Sequence, residues 1–192
     1  MKTLFLLALA TGLVFSVHPN MVAENPIDAP PATNSHHSDD EVFELLSDFL
    51  MKINKQLLET ATSGNYSDAD FRSWAADNYG SVRSFRNTCK QIQKGFEQAA
   101  TDINADLHTA RGADRVIDHI LGSKEDRLAQ IARADSQHDL KSCYESFVSK
   151  HQSCLATSIV DGLFEYQDWH TGAQLMNCMA RGVRKFHDCT GL

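Results

Sequence analysis

Proline is absent from every position after Pro31. Proline is the strongest breaker of a helix interior, so its absence leaves the chain beyond an N-terminal segment free to be helical. Long apolar runs are also scarce. The one at the N-terminus, Leu4 to Ser16, is shorter than the roughly 18 residues a membrane-spanning helix needs, and no later stretch approaches that length. Basic residues are outnumbered, with 18 Lys and Arg against 25 Asp and Glu for a net charge of −7. A nucleic-acid or anionic-membrane footprint is therefore missing. The local signatures of catalysis and cofactor binding are missing as well: there is no C-x-x-C, H-E-x-x-H, EF-hand loop, G-x-S-x-G elbow or Gly-rich phosphate loop. No cofactor and no metal site is expected.

The first residues are Met1-Lys2-Thr3, followed by the apolar run and small residues at its end, the layout of a secretory signal peptide over residues 1–16. Cleavage falls near Ser16, with Ala23 as its late limit; a retained membrane anchor is the competing reading. Losing Lys2 would take the net charge from −7 to −8. All four prolines, Pro19, Pro26, Pro30 and Pro31, lie in residues 17–37, which read as a disordered leader of low apolar content. Residues 38–192 then read as a single all-α domain. The expected localisation is extracellular.

Apolar spacing of three and four residues runs through that domain. Ser38 and Glu41 fit a capping box ahead of Val42, Leu46, Phe49, Leu50, Ile53 and Leu57, and Gly64 supplies a stop. A second box, Ser67 with Asp70, opens a pattern through Phe71 and Trp74 to Tyr79-Gly80. A third helix is expected along Phe85, Cys89, Ile92, Phe96, Ala99, Ile103 and Leu107, all within about 40° of one direction at 100° per residue. Short helices are expected at Val116–Leu121 and Leu128–Ala132, the latter capped by Ser123 with Asp126, and two long ones at Ser136–Phe164 and Gly172–Cys189. The fold class is therefore all-α, a bundle of about five to seven helices.

Secretion makes disulfides the natural state of cysteines. Cys143 and Cys154 are separated by ten residues, and so are Cys178 and Cys189. Eleven helical steps return to within about 20° of the start, some 16 Å along the axis, so each pair shares a face but is too far apart to bond. The two pairs also share a midpoint at Tyr166, as an antiparallel hairpin turning near Tyr166 to Trp169 requires. The expected bridges are Cys154–Cys178 and Cys143–Cys189. Phe147 and Val148 would then meet Val183 and Phe186, Gly182 would lie level with Lys150, and Glu145 would be level with His187 and form a local ion pair. The doubled spacing has ten intervening residues, not the nine of the stapled hairpins of the mitochondrial intermembrane space, and no family's motif set runs along the chain. Cys89 is left over. Its stripe position favours a buried free thiol; the alternatives are an intermolecular bridge making a disulfide-linked homodimer, or a shuffled pairing.

Asn65-Tyr66-Ser67 forms an N-x-S glycosylation sequon after Ser63-Gly64, in an expected exposed turn. His36-His37-Ser38-Asp39-Asp40 is a weak divalent-metal candidate, but Asp39 and Asp40 serve better in a first helical turn. Arg181, Arg184, Lys185 and His187 make the last helix locally basic, which complements a helix C-terminus. The expected function is non-catalytic binding of an extracellular macromolecule. The alternative is an extracellular carrier of a small apolar ligand, of fatty acid or sterol type, in a cavity among Phe43, Phe49, Trp74, Phe85, Phe96 and Phe164, which otherwise form ordinary core. An enzyme without a local motif ranks third, with His119, His151 and His170 as its candidate residues.

Overall fold

At five helix starts in this chain a short polar side chain accepts a hydrogen bond from an amide that a helix N-terminus leaves unpaired. A computed structural model describes residues 39–60, 65–134, 140–165 and 168–191. The expected signal peptide and leader, His36-His37, Ser38, the Ser63-Gly64 pair and Tyr166 lie outside the described residues. Among the described residues there are seven helices and no strand: α1 (Asp39–Glu59), α2 (Asp68–Tyr79), α3 (Val82–Asp102), α4 (Ala110–Leu121), α5 (Lys124–Ala134), α6 (Lys141–Val160) and α7 (Trp169–Thr190). None is long and apolar enough to cross a membrane. The capping box at α2 is complete, with Asp70 N donating to Ser67 Oγ and Ser67 N donating to Asp70 Oδ2. Ser81, Thr109, Ser123 and Asp168 accept in the same way from Ser84, Gly112, Asp126 and His170.

Two helices stop before their apolar stripes do. Ile103 and Leu107 lie beyond the end of α3, because Asn104 turns the chain through φ 48° and Ala105 N bonds back to Ala100 O at 2.8 Å. Similarly, α6 ends at Val160 instead of Phe164. Gly162 takes φ 83°, a left-handed conformation that favours glycine, and Leu163 N closes back on Ser158 O at 2.9 Å. That turn folds Leu163 and Phe164 into the interior, each 1% exposed. The described part of α6 opens at Lys141, and α7 opens at Trp169, ahead of Gly172, because Asp168 caps it.

Two covalent links join α6 to α7. Cys143 is bonded to Cys189 and Cys154 to Cys178, with Cα separations of 5.9 and 5.8 Å. This is the connectivity that the shared midpoint requires. Between the bridges Phe147 meets Phe186 with ring centroids 5.1 Å apart, and a Cβ on Gly182 would lie 3.1 Å from His151 Cε1 and 3.3 Å from Lys150 Cγ. At the other end of α7, aromatic rings from four helices and the α6–α7 turn form the centre of the core. Phe49 of α1 contacts Trp74 at 5.9 Å, Phe85 at 6.4 Å and Phe164 at 5.3 Å, and Phe164 reaches Phe96 at 5.6 Å. Gly172 lets α2 approach α7, since a Cβ there would collide with the Phe71 ring.

Candidate binding surface

Asp168 ends the α6–α7 turn and starts α7, so the first helical residue, Trp169, is fixed at the edge of the aromatic core. Its indole is half-buried, stacked on Phe85 of α3 at 6.0 Å and 28° and tilted against Phe71 of α2 at 6.1 Å. Each of those anchors is followed in sequence by an arginine. Arg72 and Arg86 are both exposed, and their guanidinium carbons lie 5.9 and 5.5 Å from the Trp169 ring centroid. Three helices thus bring two cationic forks to one aromatic ring. Exposed cation–π contacts of this kind are worth about 0.5–1 kcal/mol each, and they restrict the arginines while leaving their donors available for a carboxylate or another anion. His170 extends the patch: its Nδ1 donates to Asp68 Oδ1 at 3.2 Å while Nε2 accepts from Gln174 at 3.0 Å.

A second polar group lies between α4, α5 and α6. Arg127 of α5 is 3% exposed and donates from Nη2 to Asp118 Oδ1 at 3.0 Å and to Gln152 Oε1 at 2.5 Å, while Gln152 Nε2 donates to Asp118 at 3.1 Å. Burial lowers the Arg127 pKa against the pull of Asp118, and burial raises that of the nearby Asp114 carboxyl. The arginine's acceptors all come from the protein, so this group reads as an internal tie for α5.

The histidines named as enzyme candidates are not brought together. His119 is exposed in the last turn of α4, His170 is exposed on α7, and His151 is buried in the hairpin. His151 Nδ1 donates to Phe147 O at 3.1 Å, and burial lowers its pKa to about 4, so the ring is neutral. The expected Glu145–His187 ion pair is replaced. Glu145 pairs with Lys141 at 3.7 Å, its neighbour one turn away on the same helix, while His187 Nε2 is buried with no hydrogen-bond partner. A partner at i−4 on the solvent side is reached without desolvating either charge, which a crossing to the hairpin interior would demand.

Cys89 is fully buried as a free thiol, and burial raises its pKa to about 12. Asn65 is exposed just before α2. Arg181, Arg184 and Lys185 are exposed along α7. Among the described residues no group of three or more His, Cys, Asp or Glu side chains converges as a metal site. The aromatics named for a ligand cavity pack on one another, apart from Phe43, which is only partly buried at the edge of the core. Trp74 Nε1 and Tyr79 Oη are nevertheless buried there with no hydrogen-bond partner, and their rings are 6.1 Å apart. No family model, curated protein or solved structure matches this chain.

Sequence reasoning missed Trp169, Arg72 and Arg86 as a group. Trp169 was visible only as part of a turn, and each arginine only as a charge beside an apolar position.

Proposed function

We propose that the protein is secreted and acts by non-catalytic association with an extracellular macromolecule, a protein with an acidic contact surface. The observation that carries this reading is the half-exposed Trp169 held between Arg72 and Arg86 on a rigid aromatic base. Tryptophan and arginine are the side chains most enriched at the energetic centres of protein interfaces, and a preformed patch avoids part of the ordering cost of association. The test is a photo-crosslinking residue placed at position 83, beside the patch, in protein applied to the extracellular material of its source. One saturable adduct should form, competed by unlabelled wild-type protein and not by an Arg72→Glu/Arg86→Glu variant. Adducts that scale linearly with protein, or equal competition by the variant, would refute the reading.

A second reading, carriage of a small apolar ligand, is favoured by the unpartnered Trp74 Nε1 and Tyr79 Oη within the aromatic nest. Two donors among apolar walls suit a fatty acid or sterol with one polar end. Organic extraction of protein from its native source should then release such a molecule, and protein that yields none and binds no fluorescent apolar probe is not a carrier.

A further inference from the structure

The sequon lies on a segment that the fold immobilises. Asn65 is exposed, but its neighbour Tyr66 is clamped by one side chain of α7: Tyr66 N donates to Asn177 Oδ1 at 2.7 Å, and Asn177 Nδ2 donates to Tyr66 O at 2.8 Å. Ser67, the hydroxyl residue of the sequon, is the cap of α2. Its Oγ donates to Asp70 Oδ2 at 2.7 Å and accepts from Asp70 N at 3.3 Å. Both the backbone and the hydroxyl that a glycosyl-transferring enzyme must engage are therefore committed to the folded protein.

We propose that Asn65 carries an N-linked oligosaccharide and that it is added before α2 docks on α7, the finished fold being a poor acceptor. The reaction joins the Asn65 side-chain nitrogen to the anomeric carbon of a lipid-pyrophosphate-linked oligosaccharide. The sugar–phosphate bond breaks, the lipid pyrophosphate leaves with the electron pair, and the amide proton passes to a base of the transferase. Asn177 lies 111 residues after Tyr66, so a growing chain exposes the sequon well before its clamp exists. The proposal rests on the secretion proposed above, since the signal peptide expected over residues 1–16 would supply entry to the compartment where the donor is found, and the exposure of Asn65 in the fold accommodates the bulky, solvated product.

The test has two arms. In the first, the full chain is expressed in eukaryotic secretory cells and its intact mass is measured before and after a peptide-N-glycosidase. Wild type and Ser67→Thr, which keeps a hydroxyl, should lose an oligosaccharide mass on treatment, while Asn65→Gln and Ser67→Ala should show no change. A wild-type protein of unmodified mass would overturn the site. In the second arm, purified transferase and its lipid-linked donor are given unglycosylated protein, either folded and oxidised or reduced, alkylated and unfolded. The unfolded chain should be modified at least tenfold faster, and folded Asn177→Ala should lie between the two. Equal rates for folded and unfolded protein would overturn the order of events even with the site confirmed.

Discussion

Cys89 lies between Phe85 and Ile92 on the buried stripe of α3, with none of its surface exposed and its thiol raised to about 12. At pH 8 the thiolate fraction is on the order of one in ten thousand, and reagents lack access as well, so the native protein should show no labelling by an alkylating agent until denaturant is added. A disulfide-linked dimer on a non-reducing gel that disappears in Cys89→Ser would contradict this burial. His151 carries a pH dependence of known sign. Its folded value of about 4 lies below the ordinary 6.5, so the fold holds the neutral ring and the unfolded chain takes up the proton first. Stability from this group is fully present above about pH 6.5 and declines as pH falls towards 4, by up to about 3 kcal/mol. Urea unfolding of wild type and His151→Gln at pH 7 and pH 4.5 should show the smaller pH loss in the variant. Identical losses would mean that another group controls the acid side.

Over residues 124–129 of α5 no apolar side chain is fully buried, and the buried side chain there is Arg127. Removing one member of a buried ion pair typically costs about 3–5 kcal/mol, and because the Asp118 side chain is 38% exposed, water can take over part of the lost contact and the low end applies. Arg127→Ala should therefore lose about 3 kcal/mol in denaturant unfolding and raise amide exchange in α5 above that in α6. The two disulfides differ in loop length, with separations of 46 and 24 residues. In the chain-entropy picture, Cys143→Ala/Cys189→Ala should cost about 4 kcal/mol and Cys154→Ala/Cys178→Ala about 3, with helical circular dichroism retained in both. The reverse order would show that native packing, not loop closure, sets their worth. The register of this hairpin was legible because cysteine spacing is exact and a disulfide tolerates little error in Cα separation. Helix ends were less legible. The α6 stripe continues through Leu163 and Phe164, and only the left-handed turn at Gly162 shows that these two residues fold back into the core without extending the helix. The start of α4 was missed because its first turn, Ala110 to Ala113, carries little apolar signal, and Gly112 is there for space: a Cβ on it would collide with Asp106 O.

On the scale of the whole molecule, α7 belongs to two assemblies at once. Its first turn places Trp169 and Gly172 against α2 and α3, and its later turns carry Cys178, Phe186 and Cys189 against α6. The cluster of Trp169, Arg72 and Arg86 exists only because this helix crosses residues that are remote in sequence, which is why single-sequence patterning revealed the core beneath it and not the cluster. The bridges hold one half of α7, whereas the aromatic centre formed with α1, α2 and α3 contains no covalent link. Reduction should accordingly act unevenly. Hydrogen exchange in the reduced protein should rise most in α6 and in α7 beyond Cys178, and least in α1 and α3 around Phe49, Phe85 and Phe96. Because one continuous core runs from α1 through α7, the oxidised protein should still unfold in a single transition, with helical signal and tryptophan fluorescence changing together. Two separated transitions, with fluorescence of the Trp74 and Trp169 region persisting after the hairpin has melted, would show that α7 does not couple the halves, and the residues from 38 onward would then comprise two cooperative units instead of one domain.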